Sequence, residues 1–145
     1  MLSRDYIVGL TDGEGSFTVY VRPPSKKHGS VNYRVECHYY LKLREDDLLL
    51  LKRVKDFFKA GRNSFQKENR KNHHNAYRYE VTSLKEICSI VIPFFDTNML
   101  QSKRLIDYRL FKKIVALVLK KEHQREPGIK KIQQLKLEMH KFRAR

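Results

Sequence analysis

The chain has 145 residues, with 31 Lys+Arg against 16 Asp+Glu and a formal charge of +15 at pH 7. That length suits one domain, 1–145, with a substantial core, and the charge points to nucleic acid ahead of a membrane surface, because the bases are spread along the chain. No apolar run is long enough to span a bilayer, no signal-peptide pattern opens the chain, and Cys37 and Cys88 make no disulfide framework, so an intracellular setting is expected, either a bacterial or archaeal cytoplasm or an organelle.

The first element reads as a helix over residues 4–12, with Ser3 as its N-cap and Gly13 where the chain leaves it. The run Tyr6-Ile7-Val8-Gly9-Leu10-Thr11-Asp12-Gly13-Glu14-Gly15-Ser16-Phe17 is the most informative in the chain. In the first twenty residues Arg4 is the lone base against Asp5, Asp12 and Glu14, although the chain as a whole is strongly basic. A carboxylate within such a surface repels phosphate, and holding a divalent cation against that phosphate is the role that suits it. Glu14 is predicted just past the helix C-terminus, where free carbonyls already make a negative end. That is unfavourable for stability and favourable for a cation. Gly9 and Gly13 share one helix face, which lets a second helix approach closely and brings two copies of Glu14 together.

Residues 16–22 alternate, with Phe17, Val19 and Val21 on one face and Thr18, Tyr20 and Arg22 on the other. A basic turn at 23–29 leads to a second strand over about 31–43. Tyr33, Val35, Cys37, Tyr39, Leu41 and Leu43 lie on its apolar face, and Arg34, Glu36, His38, Tyr40 and Lys42 on its polar face. Asp46 or Asp47 is expected to cap a helix reaching Lys59 and stopped by Gly61. A second hairpin follows near 63–68 and 76–82, its tip carrying Arg70, Lys71, His73 and His74. Ser83 opens a helix ending near Pro93, and Ser102 opens a longer one to about Lys121, with Leu105, Phe111, Ile114, Val115 and Val118 as core candidates. Pro127-Gly128 is expected to break the chain before a last basic helix over about 128–142, with Ile132, Leu135, Met139 and Phe142 on one stripe.

The order helix, hairpin, helix, hairpin, helices implies an α+β fold: a four-stranded antiparallel sheet with helices on one side and a polar basic face on the other. Cys37-His38 and His73-His74 lack tetrahedral zinc spacing, and no Gly-rich phosphate loop or Ser/His/Asp arrangement stands out.

Ile7 to Gly15 resembles the LAGLIDADG motif of the homing endonucleases, with Ser16-Phe17 opening a strand as in that family. Thr11, Gly13 and Glu14 stand where the name-giving pattern has Ile, Ala and Asp. The resemblance covers roughly residues 6–113 and implies an α-β-β-α-β-β-α core whose saddle-shaped sheet lies on double-stranded DNA. It implies a metal site of Glu14 with the Gly13 carbonyl, holding Mg2+, and an interface between paired helices through Tyr6, Gly9, Leu10 and Gly13. The segment Leu100-Gln101-Ser102-Lys103, following Pro93-Phe94-Phe95, resembles the stretch from which the family directs a basic residue at the scissile phosphate. Lys103 is the first candidate for that role and Gln101 the second. A water-positioning residue falls near Leu43 or Arg44, and Leu43 is chemically unable to do that work.

The motif occurs once, so cutting both strands calls for a homodimer on a pseudo-palindromic site. DNA contacts are expected from Thr18, Tyr20, Arg22, Arg34, His38, Tyr40, Lys42, Ser64, Gln66 and Arg78, with Lys26, Lys27, Arg70 and Lys71 holding phosphates. The function implied is a site-specific, metal-dependent endonuclease encoded by a mobile intron. The alternative is a splicing maturase with intron RNA as partner, or a non-cutting regulator of the same fold.

Overall fold

The structure, a computed structural model, describes residues 1–141; Phe142 of the predicted stripe and the last residues of the basic tail lie outside the described residues. The first helix, α1, spans Arg4–Glu14, and the Ser3 side chain caps it by accepting the Tyr6 N–H at 3.1 Å. It runs past the predicted end at residue 12, and Gly15, not Gly13, closes it. Gly13 does not turn the chain, since only Gly29 and Gly61 have positive φ among the glycines. Gly15 is required by close approach: a Cβ there would lie 2.7 Å from Thr11 Cγ2. Glu14 therefore occupies the last turn of α1, still at its carbonyl-rich end.

Strands β1 (Gly15–Arg22), β2 (Arg34–Arg44), β3 (Arg62–Gln66) and β4 (Ala76–Val81) form one antiparallel sheet in the order β1-β2-β4-β3. β2 starts three residues later than 31, because Ser25 and Ser30 pair around a tight turn closed by Gly29 at φ 65°. Register aligns Phe17 with Tyr39 and Tyr39 with Val81, so the apolar positions of adjacent strands meet on one face. Phe17 is fully buried, its ring centroid 5.2–5.5 Å from those of Tyr39, Phe95, Tyr108 and Phe111. Two core tyrosines bring hydroxyls inside, and each finds a partner, as burial of a polar group demands. Tyr39 shares a 2.7 Å hydrogen bond with Thr11 Oγ1, and Tyr79 donates to the Ala60 carbonyl at 2.7 Å.

The helices cover that apolar face. α2 spans Leu48–Phe58 and buries Leu51, Val54 and Phe58. The predicted acidic cap is not made. Residues Glu45–Asp47 form a short 3-10 turn, Asp47 makes no capping bond, and Asp46 pairs with Arg44 at 3.0 Å. The helix stops as foreseen, with Lys59 at φ 55° and Gly61 at φ 81°, where a Cβ would meet the Glu80 carbonyl at 2.7 Å.

Ser83 caps α3 (Leu84–Glu86), but the chain does not end its helical course at Pro93. A π-helical turn at Ile87–Val91 widens the path, and Pro93 falls in the first turn of α4 (Ile92–Thr97), where a missing N–H costs least. α5 spans Arg104–Leu119, two residues later than the predicted start at Ser102, and buries Tyr108, Phe111, Ile114, Val115 and Val118, with Leu105 half-buried. Pro127-Gly128 does not break the chain either: both sit in the first turn of α6 (Glu126–Glu138). The break comes earlier, at Lys121 with φ 59° and a 3-10 turn at Glu122–Gln124. Gly128 serves packing instead, since a Cβ there would collide with the Glu122 carbonyl at 1.9 Å. Ile132, Leu135 and Met139 are buried as the stripe required.

Candidate active site and nucleic-acid interface

The carboxylate end of α1 is built from two distant parts of the chain. Asp12 accepts three hydrogen bonds: Gln101 N–H at 2.9 Å on Oδ2, and Ser102 N–H at 3.0 Å with Ser102 Oγ at 2.6 Å on Oδ1. Arg104 returns the contact by donating from Nε to the Thr11 carbonyl at 3.0 Å and from Nη2 to the Gly13 carbonyl at 3.2 Å. A cation is well placed there, because the last carbonyls of α1 carry partial negative charge. Leu100, fully buried, anchors the segment from below. The exposed side chains of Gln101 and Lys103 thus belong to a segment bonded to the helix end that bears the exposed Glu14. Lys103 occupies the N-cap position of α5. Sequence reading singled out Glu14, Gln101 and Lys103 but missed Asp12 and Arg104 as the link between them. The signal available was the acidic run itself, in which Asp12 is the residue left without a role.

The donor set at this end suits a hard cation. Glu14 contributes a carboxylate and Gly13 a carbonyl, whose second lone pair remains beyond the bond to Arg104. Asp12 is committed to the segment at 101–102, and among the described residues no three His, Cys, Asp or Glu side chains converge. One chain therefore supplies part of the roughly six oxygens that such a cation takes, leaving positions that suit phosphate oxygens and water.

Glu14 directly precedes β1, so this end is continuous with the outer face of the sheet. Register brings the outward residues into rows: Thr18 beside His38, Tyr20 beside Glu36, Arg22 beside Arg34, Tyr40 beside Glu80, Lys42 beside Arg78, and Arg78 beside Ser64. With Gln66 beside Ala76, every strand residue named from the sequence as a DNA contact lies on this one face. Arg62 and Arg44 share it but were not named as DNA contacts: the third strand was expected to begin at 63, and Arg44, considered only for the water-positioning place, pairs with Asp46 at 3.0 Å.

The face also carries two acidic side chains, Glu36, placed there by strand alternation, and Glu80. Glu36 accepts from Arg22 Nε at 2.9 Å and lies 3.3 Å from His38 Nε2, and the Arg22 hydrogen bond holds its carboxyl below the usual range. Burial lowers the His38 pKa against the pull of Glu36, and its Nδ1 is buried and without a hydrogen-bond partner. Glu80 collects Arg62, Ser64 and Arg78.

The hairpin tips differ from one another. Lys26 and Lys27 are exposed on their 3-10 turn. Arg70 is gripped by both oxygens of Glu68 at 3.0 and 2.9 Å, while Lys71 beside it is exposed. On α1, a Cβ added at Gly9 or Gly13 would find nothing within 4 Å. Tyr6 is 46% exposed on that helix and Leu10 half-buried. The open strip borders a groove lined by Val8, Gly9, Asp12, Asn98, Met99 and Gln101. No helix is long and apolar enough to cross a membrane among the described residues.

Comparison with known proteins agrees with this geometry. "Probable intron-encoded endonuclease 2" of Neurospora crassa is 29% identical over 132 residues, covering 90% of this chain and 28% of that protein. The chain thus spans under a third of that curated relative's length. Among solved structures, I-SmaMI bound to cleaved DNA superposes with a TM-score of 0.83 at 36% identity, over 97% of this chain and 45% of that one. The homing endonuclease I-TnaI gives 0.80 at 28% identity, over 96% of this chain and 88% of that one. The family model described as LAGLIDADG endonuclease matches residues 7–115, and the chain belongs to that family.

Proposed function

We propose that this chain is a site-specific, Mg2+-dependent double-strand DNA endonuclease, acting as a homodimer on a long pseudo-palindromic site. The observation that carries the reading is the bonding of the Glu14 helix end, through Asp12 and Arg104, to the segment holding Gln101 and Lys103, at the margin of a basic sheet face. The reaction is hydrolysis of a phosphodiester: a water oxygen bonds to phosphorus, one P–O ester bond breaks, and the departing oxygen takes a proton. A bound divalent cation supplies neutralisation of the charge building on phosphorus and a more acidic water. Glu14, with the Gly13 carbonyl, would hold that cation. Lys103 sets its ammonium against the phosphate oxygens, with Gln101 the second candidate for that place. Asp12 and Arg104 fix the spacing of these groups.

The open strip at Gly9 and Gly13 supports twofold assembly through α1, since it leaves room for a second helix at close range. The two helix ends then serve the two strands. The intron-encoded relative in a fungus supports an origin in a mobile intron and favours an organelle over the other intracellular settings. Glu14→Gln tests the assignment: cleavage should fall by at least about 10²–10³-fold while duplex binding persists. Cutting at the unsubstituted rate would sink it. Salt-sensitive binding with no cutting by the unsubstituted protein would favour a regulator or maturase.

A further inference from the structure

The carboxylate of Glu80 is out of place on a face meant for phosphate. It stands mid-sheet, beside Tyr40 of β2 on one side and Arg62 of β3 on the other, with its side chain only 12% exposed. Oε1 accepts from Arg62 Nε at 3.2 Å and from Ser64 Oγ at 3.4 Å. Oε2 lies 3.5 Å from Arg78 Nε, which is buried and makes no hydrogen bond, so that approach holds by charge alone. Arg78 in turn sits over Tyr40, its guanidinium carbon 3.5 Å from the ring centroid, leaving the side chain 19% exposed. One flank of Arg78 is thus taken by an aromatic ring and its Nε by a carboxylate. The terminal nitrogens remain as a fork of fixed plane.

A free arginine on a DNA-facing sheet reaches phosphates of any sequence and loses rotamer freedom when it settles on one base. An arginine already held loses less on reading a base and strays less to the backbone. The carboxylate also subtracts from the attraction every duplex feels, which is electrostatic and independent of sequence. Resting on the DNA-binding reading above, we infer that Glu80 is a specificity-determining positioning residue: it locks Arg78 against Tyr40 as a guanine-reading fork and weakens binding to non-target DNA. Guanine is the base matched, because O6 and N7 in the major groove accept from the two ends of such a fork.

The test compares Glu80→Gln, Glu36→Gln and Arg78→Lys, each in the Glu14→Gln background so that DNA stays intact. Bound duplexes are selected from a randomised library and sequenced, and binding to a fixed random duplex is titrated against salt. Glu80→Gln should lower the preference for guanine at one position per half-site on the order of tenfold. It should also tighten random-duplex binding and steepen the salt slope by about 0.9 for each arginine released to a phosphate. Arg78→Lys should lose the same preference with the salt slope unchanged. Glu36→Gln, acting on a pair whose side chains are 47% and 40% exposed, should change preference far less. Loss of affinity for target and random duplexes in equal proportion, or preferences unaltered by both Glu80→Gln and Arg78→Lys, would overturn the proposal. A background protein that enriches no sequence at all would overturn the DNA-binding reading, and this inference with it.

Discussion

The end of α1 and the outer face of the sheet adjoin one another and are organised by opposite rules. At the helix end, acid comes first: Asp12 and Glu14 sit within three residues, and the cations Lys103 and Arg104 arrive from far along the chain. On the sheet, base comes first, and Glu36 and Glu80 are placed among arginines to hold them. A few contacts specify the first region, so it is small, local and intolerant of change. The second is built from rows across four strands, where on the proposed function each side chain carries a fraction of the binding. Chemistry and recognition are thus separable in this molecule, and substitutions should affect one without the other.

Beyond Glu14, that separation is tested most forcefully at Lys103. Lys103→Ala should reduce the single-turnover cleavage rate on the order of 10²-fold with little change in duplex affinity. An equal loss of both would mean that the segment serves recognition. Gly9→Leu comes next: a branched side chain in the open strip of α1 should shift sedimentation from dimer to monomer and remove double-strand cuts, while each copy retains its fold. Unchanged sedimentation would refute close helix pairing. A smaller effect is expected at the hairpin tips, where Lys26→Ala and Lys27→Ala should each flatten the salt dependence of binding by about one without altering sequence preference.

Smallest of all is the acid response of Glu36. Its carboxyl is held below its usual value of 4.5, first by the Arg22 hydrogen bond. A depressed folded pKa means that the stability it contributes is complete above 4.5 and lost as pH falls through the lower folded value. The pair is exposed, so screening keeps the effect small. Glu36→Gln should slightly flatten the acid limb of a melting-temperature profile below pH 4.5, and a steeper limb would contradict the pairing.

The sequence disclosed the sheet well because alternation is strict in its strands, and a single register error would have turned every arginine into the core. It disclosed Glu14 because an acid in a basic chain is conspicuous. It was less reliable at helix ends. Pro93 and Pro127 read as stops, yet each lies in a first turn where proline is tolerated. Asp47 read as a cap, but a 3-10 turn took its place. Gly13 read as the exit, although the crowding at Thr11 puts that demand on Gly15. The links that matter most to the site were invisible for a different reason. Asp12 bonds to residues 89 and 90 positions away, and Glu80 gathers partners from another strand; neither follows from local spacing.

Glu14 is proposed to support metal-dependent cutting of a twofold DNA site. The most direct test is incubation of a randomised duplex library with Mg2+ and the unsubstituted chain, beside Glu14→Gln and a chelator control. Sequencing of the cut ends should yield one near-palindromic site, absent from both controls. Cut ends without sequence preference, or the same site still cut with Glu14→Gln, would contradict the account.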